Sequence, residues 1–154
     1  MEIRRINRSE IDLVADLFDK YRVFYKQQTD TERAKIFLQE RLDNNESVIF
    51  VALLNENDKM IPLAFTQLYP VYSSVRTIKN WILNDLYVEA AYRKRGIGEQ
   101  LIKTAMDFAK KEGAIFVQLS TATDNYIAQS LYESIGFIKQ EPEKDFFTYR
   151  IALV

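Results

Sequence analysis

Trp81-Ile-Leu-Asn-Asp85-Leu-Tyr-Val88-Glu-Ala-Ala-Tyr92-Arg-Lys-Arg95-Gly-Ile-Gly98-Glu-Gln-Leu101 is an apolar strand that runs into a basic, glycine-bearing turn and then into a helix. Residues 82–88 are mostly apolar, as suits a strand covered on both faces. Residues 89–92 break the pattern, and Arg93-x-x-Gly96-x-Gly98 follows. Glycine at both positions lets backbone N–H groups approach an anion with no Cβ between, and the helix behind offers its unpaired first-turn N–H groups and positive dipole end. Such a turn suits a diphosphate. Arg93, Lys94 and Arg95 add cations for phosphate oxygens, the other reading of such a charge run being a solvated face. A dinucleotide-binding turn needs a third glycine where Leu101 stands, and a nucleotide-triphosphate loop needs Gly-Lys followed by Ser or Thr; neither is present.

Working outward, 154 residues with 47% hydrophobic content suit one substantial core, so one domain is expected over 1–154. A net charge of −1 supplies no bulk positive field to recruit nucleic acid or acidic membrane. The chain has neither Cys nor His. That removes disulfides, thiolate nucleophiles, imidazole bases and most zinc sites, and no metal is expected. No apolar run approaches the roughly 18 residues of a membrane span, and Met1-Glu-Ile-Arg-Arg5 has no apolar signal core, so the expected location is cytoplasmic.

In chain order, residues 2–6 alternate as a strand, and Ser9 with Asp12 precedes a helix carrying Ile11, Leu13, Val14, Leu17, Phe18 and Tyr21. Thr29-x-x-Glu32 is a capping-box pattern for a second helix through Leu42, with Ile36, Phe37, Leu38 and Leu42 on its buried side. Residues 47–54 and 61–69 flank a polar turn as a hairpin, and residues 70–77 connect to the strand quoted above. The helix after Gly98 carries Leu101, Ile102, Ala105, Phe108 and Ala109 on one side and ends at Gly113. A strand over 114–120, a helix stopped by Gly136, and strands over 137–140 and 146–153 complete the chain. That order describes an α/β domain with a mixed sheet.

The Leu86-Tyr87-Val88 strand end followed by Arg93-x-x-Gly96-x-Gly98 resembles the acyl-CoA-binding motif of the GNAT-family N-acetyltransferases. A second segment, Asn125-x-x-Ala128-x-x-Leu131-Tyr132-Glu133-x-x-Gly136-Phe137, is similar to that family's C-terminal motif, in the correct order and spacing. Tyr21-Arg22-x-Phe24-Tyr25 and Phe65-Thr66-Gln67-Leu68-Tyr69-Pro70 further resemble the branch with fungal histone and polyamine acetyltransferases and their bacterial relatives. The resemblance covers the whole chain. It implies a mostly antiparallel twisted sheet of about seven strands flanked by about four helices.

It also implies transfer of an acetyl group from acetyl-CoA, as co-substrate, to a primary amine by direct attack on the thioester. By position in the motif, the cofactor-binding residues are Leu86, Tyr87, Val88, Arg93, Lys94, Arg95, Gly96, Ile97, Gly98 and Asn125. The Leu86 N–H falls where it would polarise the thioester carbonyl, and Tyr132 where relatives protonate the departing thiolate. Relatives carry a glutamate base where this chain has Asn84 or Ile82; here the base is left to Asp85, Glu89 or water. Tyr21, Tyr25, Tyr69 and Tyr72 would surround an alkyl ammonium, with Asp30, Glu32 or Glu141 adding charge. The acceptor implied is a small polyamine-like amine, the alternatives being a protein lysine or N-terminus, or a catalytically silent acetyl-CoA sensor. The strand-forming 146–154 segment points to a homodimer.

Overall fold

Two long hairpins carry the sheet through β2 (Val48–Glu56), β3 (Lys59–Ser73) and β4 (Ile78–Val88), all antiparallel. The first closes on Asn57 and Asp58, both at positive φ (52° and 60°), the geometry of a two-residue turn whose twist matches the strands. Pro62 stands opposite Leu53, where the β2–β3 register slips by one residue, so its missing N–H falls at an irregularity. The second hairpin is longer than expected: Pro70 to Ser73 stay in the ladder, opposite Trp81 to Ile78, and only residues 74–77 turn. β1 (Glu2–Arg5) pairs with β2.

The computed structural model describes all 154 residues, in two compact units, 1–120 and 121–154. The sheet of the first unit runs β1-β2-β3-β4-β5, with β5 (Val117–Gln118) parallel to β4. On one face lie α1 (Ala15–Phe24) and α2 (Thr31–Asp43); Phe18 and Tyr21 of α1 meet Phe65 edge-on at 6.1 and 6.0 Å. On the other lies α3 (Ile97–Lys111), whose Phe108 packs on Phe50 and Trp81. The two faces follow from register: Phe50 stands opposite Thr66, the pleat neighbour of Phe65. Ile11, Val14, Leu17, Phe18, Leu38, Ile49, Val51 and Phe65 form the core under α1 and α2.

Helix starts differ from the sequence reading. Asn7, not Ser9, is the first cap: its side chain accepts from the Ser9 N–H and opens a 3-10 turn, Arg8–Leu13, ahead of α1. Asp30 caps α2 through the Arg33 N–H at 3.0 Å, because the Thr29 hydroxyl is taken by Asp19. Along α2, Ala34 and Leu38 are buried while Ile36 and Phe37 stay exposed. Phe37 instead stacks on Phe18 and under the Arg41 guanidinium.

The second unit holds α4 (Tyr126–Ile135), so four α-helices are present as expected, but the sheet has five strands rather than seven. Residues 137–140 and 146–153 form no ladder, and Phe147, Tyr149, Ile151 and Leu153 stand 82 to 89% exposed. Period-2 alternation marks a face that wants covering and does not say that the cover lies in the same chain. β5 also falls short of 114–120, keeping two ladder pairs, Trp81↔Val117 and Ile82↔Gln118. What holds its approach is buried Asn80, whose Oδ1 accepts from the N–H groups of Ile115 (2.9 Å) and Phe116 (3.2 Å). Asn80→Ala removes that acceptor and is expected to cost about 1–3 kcal/mol. Urea denaturation reads the loss, and amide exchange should quicken first at Ile115 and Phe116.

Candidate active site

After Val88 the chain takes a 3-10 turn, Ala90–Tyr92, and enters α3 through Gly96. Gly96 has φ 77° and Lys94 φ 62°; a Cβ built on Gly96 meets nothing within 4 Å. The glycine is therefore demanded by its left-handed backbone, not by crowding. No side chain caps α3, and none of the N–H groups from Lys94 to Glu99 donates to an acceptor of the chain. Arg93 donates from Nε to the Val88 carbonyl at 2.9 Å and lies over the Tyr87 ring, while Arg95 lies over Tyr92. Lys94 makes no ion pair, and the terminal nitrogens of both arginines keep donors. This is a run of free amides under positive charge, which fits a diphosphate.

The strand that leads there has one unpaired edge. β4 meets β5 only at Trp81 and Ile82, so the edge away from β3 is open from Leu83 onward. The Glu89 N–H donates to Leu63 at 2.8 Å, which faces Glu89, Tyr87 and Asp85 toward β3. Strand alternation then turns the N–H and C=O groups of Leu86 and Val88 to the open edge, where the Val88 carbonyl meets Arg93.

Opposite Gln67, β4 carries one residue more than β3: Gln67 pairs with Asp85 and Leu68 with Leu83, leaving Asn84 as a bulge. Asp85 lies on the α1 face and is 2% exposed. Its Oδ2 accepts from Gln67 Nε2 at 2.5 Å and its Oδ1 from Asn84 Nδ2 at 2.9 Å. The Tyr21 hydroxyl, 3.4 Å from the Asn84 carbonyl, also faces this carboxylate, and the Tyr69 hydroxyl accepts from Gln67 Nε2 at 3.1 Å. No Lys or Arg pairs with Asp85. Burial raises its pKa above the ordinary carboxylate range, and the donated hydrogen bonds of Gln67, Asn84 and Tyr21 offset that only in part. Burial first, and the neighbouring Asp85 second, push both Tyr21 and Tyr69 upward, so both phenols keep their protons at neutral pH.

Of the other residues singled out in the sequence, Tyr25 and Tyr72 are exposed, and Tyr21 meets Tyr25 edge-on at 5.0 Å. Glu89 pairs with Lys20 at 2.8 Å and Asp30 caps α2, which leaves Asp85 as the carboxylate on this face of β4. In the second unit Asn125 caps α4 through the Ala128 N–H at 3.2 Å, and half-buried Tyr132 sits 6.1 Å from the Phe137 ring. Gln67 and Asn80 were not legible as site-forming residues; a polar residue inside an otherwise apolar strand was the available signal. No group of three or more Asp and Glu side chains gathers to hold a metal ion.

The sequence profile of the acetyltransferase (GNAT) family matches residues 12–137. YhfO of Bacillus subtilis, described as an uncharacterised N-acetyltransferase, is 44% identical over 137 residues, 89% of each chain. A crystal structure described as a "probable acetyltransferase" superposes with a TM-score of 0.85 at 38% identity, over 100% of this chain and 99% of that one. An aminoglycoside N-acetyltransferase in complex with CoA shares the fold, with a TM-score of 0.77 at 18% identity over 97% and 95% of the two chains.

The raised Asp85 pKa has a sign in stability. Between the ordinary carboxylate value, about 3.9, and its raised native value, the folded protein holds a proton that the unfolded chain has released. Stability contributed by this group therefore falls as pH rises across that window and levels off above it. Urea denaturation of wild type and Asp85→Asn over a pH series is expected to show the variant gaining relative stability as pH rises; a constant difference would contradict the assignment.

Proposed function

The chain belongs to the acetyltransferase (GNAT) family, and from that premise we propose that it transfers the acetyl group of acetyl-CoA directly to a primary amine held at Asp85. The observation that carries this reading is a buried carboxylate with no cation of its own. It stands at the bulge of the strand whose open edge leads to the turn of free amides. We take the whole chain as one transferase domain.

Acetyl-CoA supplies an acyl thioester. The amides of residues 94–99, with Arg93, Lys94 and Arg95 around Gly96, Ile97 and Gly98, hold its diphosphate. The open edge at Leu86, Tyr87 and Val88 holds the pantetheine, and the Leu86 N–H faces the thioester oxygen. Asp85 accepts a proton from the bound ammonium, which frees the nitrogen lone pair. The N–C bond forms as the C–S bond breaks, and the second proton that the nitrogen loses as it becomes an amide passes to solvent. Tyr132 then gives its phenol proton to sulfur, an assignment that rests on its motif, as does the role of Asn125 toward pantetheine.

The acceptor we favour is a small polyamine-like amine, because the Asp85 surroundings offer carboxylate, amide and phenol groups and no competing cation. We assign the protein to the cytoplasm, without nucleic acid or membrane as partner; no helix is long and apolar enough to cross a membrane. We further propose a homodimer built on residues 146–154, whose alternating apolar side chains are uncovered in the single chain.

Calorimetric titration of acetyl-CoA is expected to show binding by wild type and none by Gly96→Trp, with thiol release on at least one member of a panel of alkyl diamines and lysine peptides. Binding without release on any amine would favour a sensor, and absence of binding would overturn the cofactor site. Asp85→Asn should lower kcat by about 10²- to 10⁴-fold and remove the acidic limb of its pH profile while leaving acetyl-CoA affinity unchanged. Equilibrium sedimentation should give a dimer mass that deletion of residues 146–154 reduces to the monomer.

A further inference from the structure

We infer that the side-chain carbonyl of Gln67 is a second receptor for the acceptor's amine, so that Gln67 and Asp85 form a seat of hydrogen-bond acceptors that selects amines with several N–H groups. The inference rests on the transferase reading only in naming the ligand an acetyl acceptor; the seat itself is a binding site for a cationic amine.

Gln67 lies in the middle of β3 and is 0% exposed. Its amide nitrogen is fully used, one hydrogen going to Asp85 Oδ2 and the other to the Tyr69 hydroxyl. Its amide oxygen is buried and accepts nothing from the chain. The orientation is fixed by its neighbour, since the flipped amide would set a carbonyl against a carboxylate. An orphaned carbonyl and an unneutralised carboxylate therefore share one side chain's reach. Each is costly to bury alone, and the two lack the same thing, a positively charged donor with more than one hydrogen.

The contrast with the other buried aspartate sharpens the point. Asp19 is 5% exposed, and its carboxylate is fully served by the Arg22 guanidinium at 2.9 Å, the Thr29 hydroxyl and the Asp30 N–H. Burial opposes its charge, but those donors outweigh burial and hold its pKa low. Asp85 and Gln67 receive no such cation, although α1 passes over both with Tyr21. A primary ammonium supplies the missing charge and one hydrogen each to Asp85 and to Gln67 Oε1. When Asp85 has taken its proton, the lone pair is left facing the new Asp85 hydroxyl, and the neutral amine pivots on the hydrogen it keeps on Gln67 Oε1 to turn that lone pair out of the seat. A tertiary ammonium has a single hydrogen and leaves Gln67 unpartnered.

The test is equilibrium titration of 1-aminobutane and of N,N-dimethyl-1-aminobutane into wild type and Gln67→Met, with acetyl-CoA titrated into the same samples. Wild type is expected to prefer the primary amine, and the substitution to weaken that amine by about 10- to 100-fold and the dimethyl amine far less. The ratio is the readout, because loss of the donor to Asp85, or of packing, touches both amines alike. Equal weakening of the two, an unchanged ratio, or no binding of either by wild type would overturn the inference. Acetyl-CoA binding reports separately on the transferase reading: its absence with the amine preference intact would sink that reading and leave the seat standing.

Discussion

One extra residue in β4 governs the site. Because Asn84 has no counterpart in β3, the strand twists between Leu83 and Asp85. Beyond the bulge, Asp85 and Tyr87 face α1 with Gln67 and Phe65, and the groups of Leu86 and Val88 turn to an edge that β5 does not follow. A β5 that followed β4 along its whole length would have closed that edge with backbone hydrogen bonds. Asn80 adds the complementary restraint, gripping the chain just ahead of β5 so that the separation starts at a fixed place. The open edge is thus held by a bulge on one side and a side-chain clamp on the other.

The two buried aspartates show how the same residue type serves opposite ends. Asp19 ties the loop between α1 and α2 to the helix that precedes it, and every strong partner it needs is within the chain. Asp85 is given only amide and phenol donors, so its burial remains partly uncompensated. Local consistency between burial and neutralisation is the general rule in folded proteins, and departures from it concentrate where a ligand completes the set. The turn before α3 departs from the same rule, with Lys94 and Gly96 in left-handed conformation and a helix start that no side chain caps.

Much of this was legible because it depends on local chemistry. The Arg93-x-x-Gly96-x-Gly98 spacing carries its own backbone requirement, and Asn125 and Gly136 bracket α4 by cap preferences that act within a few residues. Elements with long periodic patterns, α3 above all, fell where the apolar spacing put them. Caps were less certain: Thr29 and Ser9 have the right chemistry, but Asp19 and Asn7 claim their hydroxyls. The last two expected strands failed for a related reason, since alternation specifies a face and leaves its partner unnamed.

By itself, then, the sequence determined the fold class, the order of its helices and hairpins, the glycine-bearing turn ahead of α3 and the exclusion of thiol and imidazole chemistry. The family resemblance supplied the acyl donor. Only the tertiary structure decided which carboxylate is buried without a cation, because Asp85, Glu89 and Asp30 differ in their partners and not in their chemistry. It also brought Gln67 and Asp85 together across 18 residues. A one-residue slip of register would have put Asp85 on the other face, and register is set by the bulge and the core packing, which no short window of sequence contains.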